Sequence, residues 1–303
     1  MFRPVLLAAV MTSIGCAKAP PEAGEDFSDA VRSLLRNLEG DEGTLAMLMR
    51  QLEEEVYLGM DVESGSANDR ALTPDLLEPA DVEGLDRPDR SLGKAIPVAV
   101  ATVSPHHIDD HPKIQLLEDH TPVEPYSPEY YDRTFLDGQD CWADRSCEWL
   151  RTTNDLTKEN ILMTVDYAFD KDFRWVDLNT PDPTEEDPNP VNEGEPRWGY
   201  IARSWTTEEY PGRKDNATIH QSYTIEAWIP RGGTGFIRGK GDKNLDDGDW
   251  TTDSKGSGTL RMLCLWSETS FDGLSVTDDQ VAATTRTGID NNFNAADSWL
   301  DDH

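Results

Sequence analysis

The chain has 303 residues, with 59 Asp and Glu against 27 Lys and Arg, giving a formal charge of -32 at pH 7. So large an acidic excess argues against nucleic acid as a partner and against docking on anionic lipid by charge, because both need surplus Lys and Arg. Hydrophobic residues are 37% and charged residues 28%, enough for a packed core but low enough to predict long loops.

Residues 1–15 begin with Arg3 as the one positive charge and continue as an apolar run of 11 residues from Val5 to Gly15. A helix needs about 20 apolar residues to span a bilayer, so this run reads as a secretory signal peptide. It ends in Ser13-Ile14-Gly15-Cys16, which resembles the lipobox of bacterial lipoproteins, with Ser13 in place of the usual Leu. That resemblance implies that Cys16 is diacylated and opens the mature chain. Residues 16–26 would then be a tether, the lipid anchor would make the membrane a partner, and Ala17 after the cysteine would direct the protein to the outer membrane.

Two helices follow. Val31, Leu34, Leu35 and Leu38 fall on one helical face, and Leu45, Leu48, Met49, Leu52 and Val56 repeat the pattern after a turn at residues 39–43. Residues 27–60 are therefore expected to form a helical hairpin, with Thr44 capping the second helix. Residues 61–93 carry nine acidic residues, three basic ones and three prolines without a sustained period, and read as an acidic linker.

From residue 94 the period becomes two. Ile161, Met163, Val165, Tyr167 and Phe169 alternate with more polar neighbours, and Asp170-Lys171-Asp172 reads as a turn into Phe173–Asp177. The stretch around Ile219 to Ile229 alternates likewise, and further strands are predicted at Ile96–Val103, Trp198–Thr206, Gly235–Arg238 and Thr259–Ser267. With no amphipathic helices between them, these strands predict an antiparallel β-meander over residues 94–276, barrel-like or a sandwich. Two loops interrupt it, Thr180–Pro196 and Gly239–Gly258. Residues 277–303 offer a helix and then an acidic tail expected to fray from Asp297. The fold class is thus α+β, a helical hairpin followed by an antiparallel sheet domain.

In an oxidising compartment Cys141 and Cys147, six apart, are spaced to close a small disulfide loop, while Cys264 between Leu263 and Leu265 reads as a buried thiol. Most of the tryptophans fall in the sheet region, as core or as the lining of an apolar cavity.

Candidate chemistry is sparse. His106, His107, His111 and His120 lie among carboxylates just after a predicted strand, a donor set suited to Zn or another divalent transition metal. The segment is similar to the H-x-H-x-D-H signature of metallo-β-lactamase-type hydrolases, but Ile108 holds the second His position, which excludes that family. Asp242, Asn244 and Asp246 look like the start of a loop for weak Ca²⁺ binding, although Asp247 takes the position where an EF-hand needs Gly. His220 and Glu226 share a strand and form an imaginable acid/base pair. No G-x-S-x-G elbow and no phosphate loop is present, so the chain is not expected to be an enzyme. The sequence is read as a lipid-anchored cell-envelope protein with a binding or structural role at the outer membrane. A metal-dependent enzyme using His106 to His111 and a lipocalin-like carrier of an apolar ligand are the alternatives.

Overall fold

The computed structural model describes residues 26–61, 66–67, 72–160, 163–181, 183, 196–214, 217–231, 258–273 and 275–303. Its elements in chain order are helices α1 (Phe27–Asn37) and α2 (Glu42–Gly59) and strands β1 (Met60–Asp61), β2 (Ser66–Ala67) and β3 (Ile96–Ser104). Helix α3 (His111–Gln115) follows, then β4 (Tyr131–Asp137), β5 (Trp149–Glu159), β6 (Thr164–Asp177), β7 (Trp198–Trp205), β8 (Tyr210–Pro211), β9 (Ala217–Pro230) and β10 (Thr259–Phe271). A long helix α4 (Asp278–Asp302) ends the chain.

All strands join one antiparallel sheet in the order β1-β2-β3-β10-β9-β7-β6-β5-β4, with β8 paired to β9. The run from β4 to β10 is a meander as expected, and β3 crosses over to lie outside β10. Among the described residues the sheet is open, so they form neither a closed barrel nor a two-sheet sandwich. Its edge is protected in another way: Glu118 and His120 run beside β4, where the His120 amide donates to the Tyr131 carbonyl at 2.9 Å and the Arg133 amide to the Glu118 carbonyl at 2.7 Å. Bulges at Phe135/Asp137 and at Glu268/Thr269 add local bend and twist.

One face of the sheet carries the main core. The apolar stripes of α1 and α2 pack there on Tyr223, Ile225, Ala227, Leu260, Met262, Cys264 and Trp266, and Leu72, Leu77, Val82 and Leu92 complete the cluster. Charged side chains tie the hairpin down. Arg174 on β6 donates to the Leu38 and Gly40 carbonyls at 2.8 and 2.6 Å, satisfying the exposed C-terminal end of α1. Asp41, rather than Thr44, caps α2, accepting from the Thr44 amide at 2.8 Å.

Two local readings are corrected. Asp170-Lys171-Asp172 is not a turn, because β6 runs unbroken for 14 residues from Thr164 to Asp177. Its charges are tolerated inside a strand because both flanking faces are covered and supply partners, Glu226 for Lys171 on one face and Arg203 for Asp172 on the other. The acidic end does not fray at Asp297 either. α4 continues to Asp302, and Asp297 accepts from Ser104 Oγ at 2.6 Å and from Arg261 at 2.7 Å. No helix among the described residues is long and apolar enough to cross a membrane.

Candidate functional site

The second face of the sheet curls beneath α4 and leaves space. Strand register lays its side chains in rows. One row reads Leu265, Thr224, Ser204, Lys171 and Thr152 across β10, β9, β7, β6 and β5, and the next Leu263, Glu226, Ala202, Phe173 and Leu150. Farther along the strands lie Phe169, Asn154 and Arg133, then Tyr167, Leu156 and Tyr131. Above them α4 presents Val281, Thr284, Thr285, Gly288, Ile289, Asn292, Phe293 and Ala296, spaced on one helical face. Between sheet and helix is a cavity of about 310 Å³, within the size range of small-molecule sites. Its roof is fixed at its far end by Ile114, Val123 and Leu300 and along its length by Val98, Val100, Ile289 and Phe293.

The wall mixes apolar surface with buried charge. Lys171 Nζ lies 2.5 Å from Glu226 Oε1, each side chain about one-tenth exposed. β7 separates their strands, so neighbours at about 4.8 Å spacing put them roughly 10 Å apart along the sheet. The small Ala202 and Ser204 leave Lys171 room to reach across. Burial pulls the Lys171 ammonium below its ordinary pKa, and Glu226 opposes that fall. Ser204 and Thr224 hydroxyls meet at 2.6 Å beside the pair. Arg133 is buried too, donating to Asn154 Oδ1 at 2.8 Å and to the Gln115 carbonyl at 2.6 Å. Arg261 is held by Asp297, and Lys158 by Glu124 at 3.3 Å.

The histidine segment is dispersed rather than converged. His106 Nε2 bonds the Asp297 carbonyl at 3.1 Å, which pins the helix end, and half-exposed His107 faces Asp109. His111 and His120 are buried and line the cavity. His120 is placed by the edge pairing with β4 and stacks on Tyr131 at 4.8 Å between ring centroids. Burial, with Arg261 nearby, pushes the His111 imidazole down to about 3, and burial with Arg133 and Lys171 holds His120 well below its usual range. Both rings are therefore neutral at neutral pH, and the Nε2 of each is buried without a hydrogen-bond partner among the described residues. Among the described residues no three His, Cys, Asp or Glu side chains are placed to hold a metal ion.

Cys141 and Cys147 form a disulfide with Cα atoms 5.4 Å apart, and Cys264 is a buried free thiol whose ionisation burial strongly disfavours. Cys16, the acidic loop residues Asp242, Asn244 and Asp246, and the strand expected at Gly235–Arg238 lie outside the described residues. His220 and Glu226 do not form a pair. The bulge in β9 turns His220 to Glu209 and to Ser270 Oγ at 2.9 Å, while Glu226 faces Lys171. Of the tryptophans, Trp228 and Trp205 line the cavity, while Trp142 and Trp175 pack with Tyr200 beyond it. Sequence reading missed Arg133, Lys171 and Arg261 as site residues. The signal that could have found them is a lone cation on the inward face of a strand.

The fold and the cavity define a class: a single curved antiparallel sheet gripped by a C-terminal helix over a ligand-sized hollow. No protein-family model matches the chain, and no curated protein does. Among solved structures the chain is similar to TTHA0849 from Thermus thermophilus, at 12% identity and TM-score 0.37 over 67% of this chain and 96% of that one. It is also similar to the Zhui aromatase/cyclase from Streptomyces sp. R1128, at 12% identity and TM-score 0.35 over 68% and 93%. Ara h 8.0201 matches at 8% identity and TM-score 0.32 over 68% and 98%.

Proposed function

We propose that this protein binds one small, largely apolar molecule in the cavity between the sheet and α4, and that it carries the molecule rather than converting it. The cavity itself supports the reading. It is about 310 Å³, lined by Met163, Phe169, Ile219, Leu265, Phe271 and Val281, with a few buried polar groups that can orient a ligand. Binding is favoured over catalysis because the wall's lysines and Arg261 are each engaged by a carboxylate and burial makes its two imidazoles weak proton acceptors.

A titration with the neutral fluorophore N-phenylnaphthylamine tests this. Wild-type protein should show saturable one-to-one binding. Gly288→Leu should bind at least about tenfold more weakly with an unchanged circular-dichroism spectrum, since the added side chain enters the space left over a glycine whose nearest outside atom is 3.9 Å from an added Cβ. Equal binding by both proteins, or no saturable binding, would overturn the cavity reading.

The signal segment and Cys16 add the second half of the proposal, that the carrier is tethered to the outer membrane through a lipid. Labelled palmitate should enter the wild-type protein and not Cys16→Ser, and absence of label in the wild type would remove the anchor from the account.

A further inference from the structure

The charges on the cavity wall do not cancel. Lys171 is matched by Glu226, Lys158 by Glu124 and Arg261 by Asp297. Arg133 is buried with neutral partners, Asn154 and the Gln115 carbonyl, and among the described residues it forms no ion pair. A guanidinium does not shed its proton in a protein, so this side of the cavity holds a surplus positive charge. Arg133 and Lys171 also converge, their cationic groups lying 5.5 and 5.0 Å from the centre of the Phe173 ring, with Glu226 paired to Lys171 there. The carboxylates that act on Arg133, Glu226 and Glu124, are each already paired with a lysine, so a ligand bringing one negative charge relieves the cost of burying the additional cation.

We propose that the cavity's ligand is an apolar monocarboxylic acid, its carboxylate seated on Arg133 beside Lys171 and its hydrocarbon body under Val281, Ile289 and Phe293 of α4. This rests on the cavity reading above and names the ligand's chemistry. A monoanion balances the wall, and the apolar row with the helix face accommodates the rest. A carboxylate also suits a guanidinium, because charge-assisted N–H···O bonds are stronger than neutral ones.

The test is calorimetric titration of the full chain with decanoate, decan-1-ol and decylamine, which share one hydrocarbon body and differ in head-group charge. Naphthalene-2-carboxylate serves as a ring-bearing acid. Decanoate or the naphthoate should bind at least about tenfold more tightly than decan-1-ol, the margin of a charge-assisted over a neutral contact, and decylamine most weakly. Arg133→Gln should bring acid and alcohol to within about twofold while leaving alcohol affinity in place, which also shows that the variant is folded. If the variant does not fold, the wild-type ranking alone decides. Decan-1-ol binding as tightly as both acids would overturn the anionic ligand and leave the cavity reading intact. No binding by any probe, together with no effect of Gly288→Leu on the fluorophore, would overturn both.

Discussion

Replacing Lys171 with Met tests whether the interior beneath α4 is dry. The ammonium and Glu226 lie 2.5 Å apart with about one-tenth of each side chain exposed, and the nearest other hydroxyl, Thr224 Oγ1, is 3.5 Å from the same carboxylate oxygen. Removing the lysine leaves a buried carboxylate with one weak hydrogen bond and the more distant Arg133, a change that costs up to about 3–5 kcal/mol where pairs are desolvated. Removing both charges, Lys171→Met with Glu226→Leu, should return most of that loss, because well-packed apolar replacements of buried pairs are often neutral or stabilising. Urea denaturation of the wild type, both single variants and the double variant closes the cycle. Glu226→Gln adds a sign. Its lysine then loses its paired carboxylate while Arg133 still opposes its charge, so the folded pKa falls further below the unfolded value of about 10.4. Between those two values the unfolded state binds more protons, so the variant must gain stability as pH rises toward 10. A cost for Lys171→Met below about 1 kcal/mol, the range of exposed pairs, would show that water reaches the pair and refute the reasoning.

Three further outcomes are expected. Gly288→Ala should stabilise the protein by about 0.5–1 kcal/mol in thermal melts, because a mid-helix glycine is replaced at a site where the added methyl meets only Tyr126 at 3.9 Å. His111 is folded neutral with a pKa of about 3, below its unfolded value, so its contribution is present above about pH 6.5 and is lost as pH falls toward 3. His120 acts in the same direction, so the unfolding free energy from urea titrations should be lower at pH 4.5 than at pH 7, with His111→Gln reducing the difference. Removing the disulfide by Cys141→Ser with Cys147→Ser should cost about 2–3 kcal/mol, read as a melting temperature that drops under reductant in the wild type only.

How much the sequence revealed depended on what each face touches. α1 and α2 were legible because their apolar stripes meet a dry core, and β3, β7, β9 and β10 because apolar residues alternate along their buried faces. β5 escaped because its inward residues are Leu150, Thr152, Asn154 and Leu156, half of them polar, so its pattern resembles that of an exposed segment. The same polarity hid the site. Lys171 looked like part of a turn and Asp297 like part of a solvated tail, and only their partners Glu226 and Arg261, distant in sequence, show otherwise. His111 and His120 stood out in the sequence as candidate metal ligands; that both are buried and line the cavity, His120 stacked on Tyr131, is information that periodicity does not carry.

The position of β3 governs how this chain can fold. Ile96 pairs with Ser267 and Ser104 with Thr259, so the first long strand waits for the last before its hydrogen bonds are made. Rates fall as such non-local pairings come to dominate, which places this domain among slow folders and keeps it incomplete until nearly all of it has been synthesised. Over that interval the leucines of α1 and α2 have no finished sheet to cover, and the intermediate exposes both an apolar stripe and an unpaired strand edge. Aggregation during refolding should therefore track the concentration of chains lacking β10, a hazard set by strand order rather than by the stability of the finished molecule.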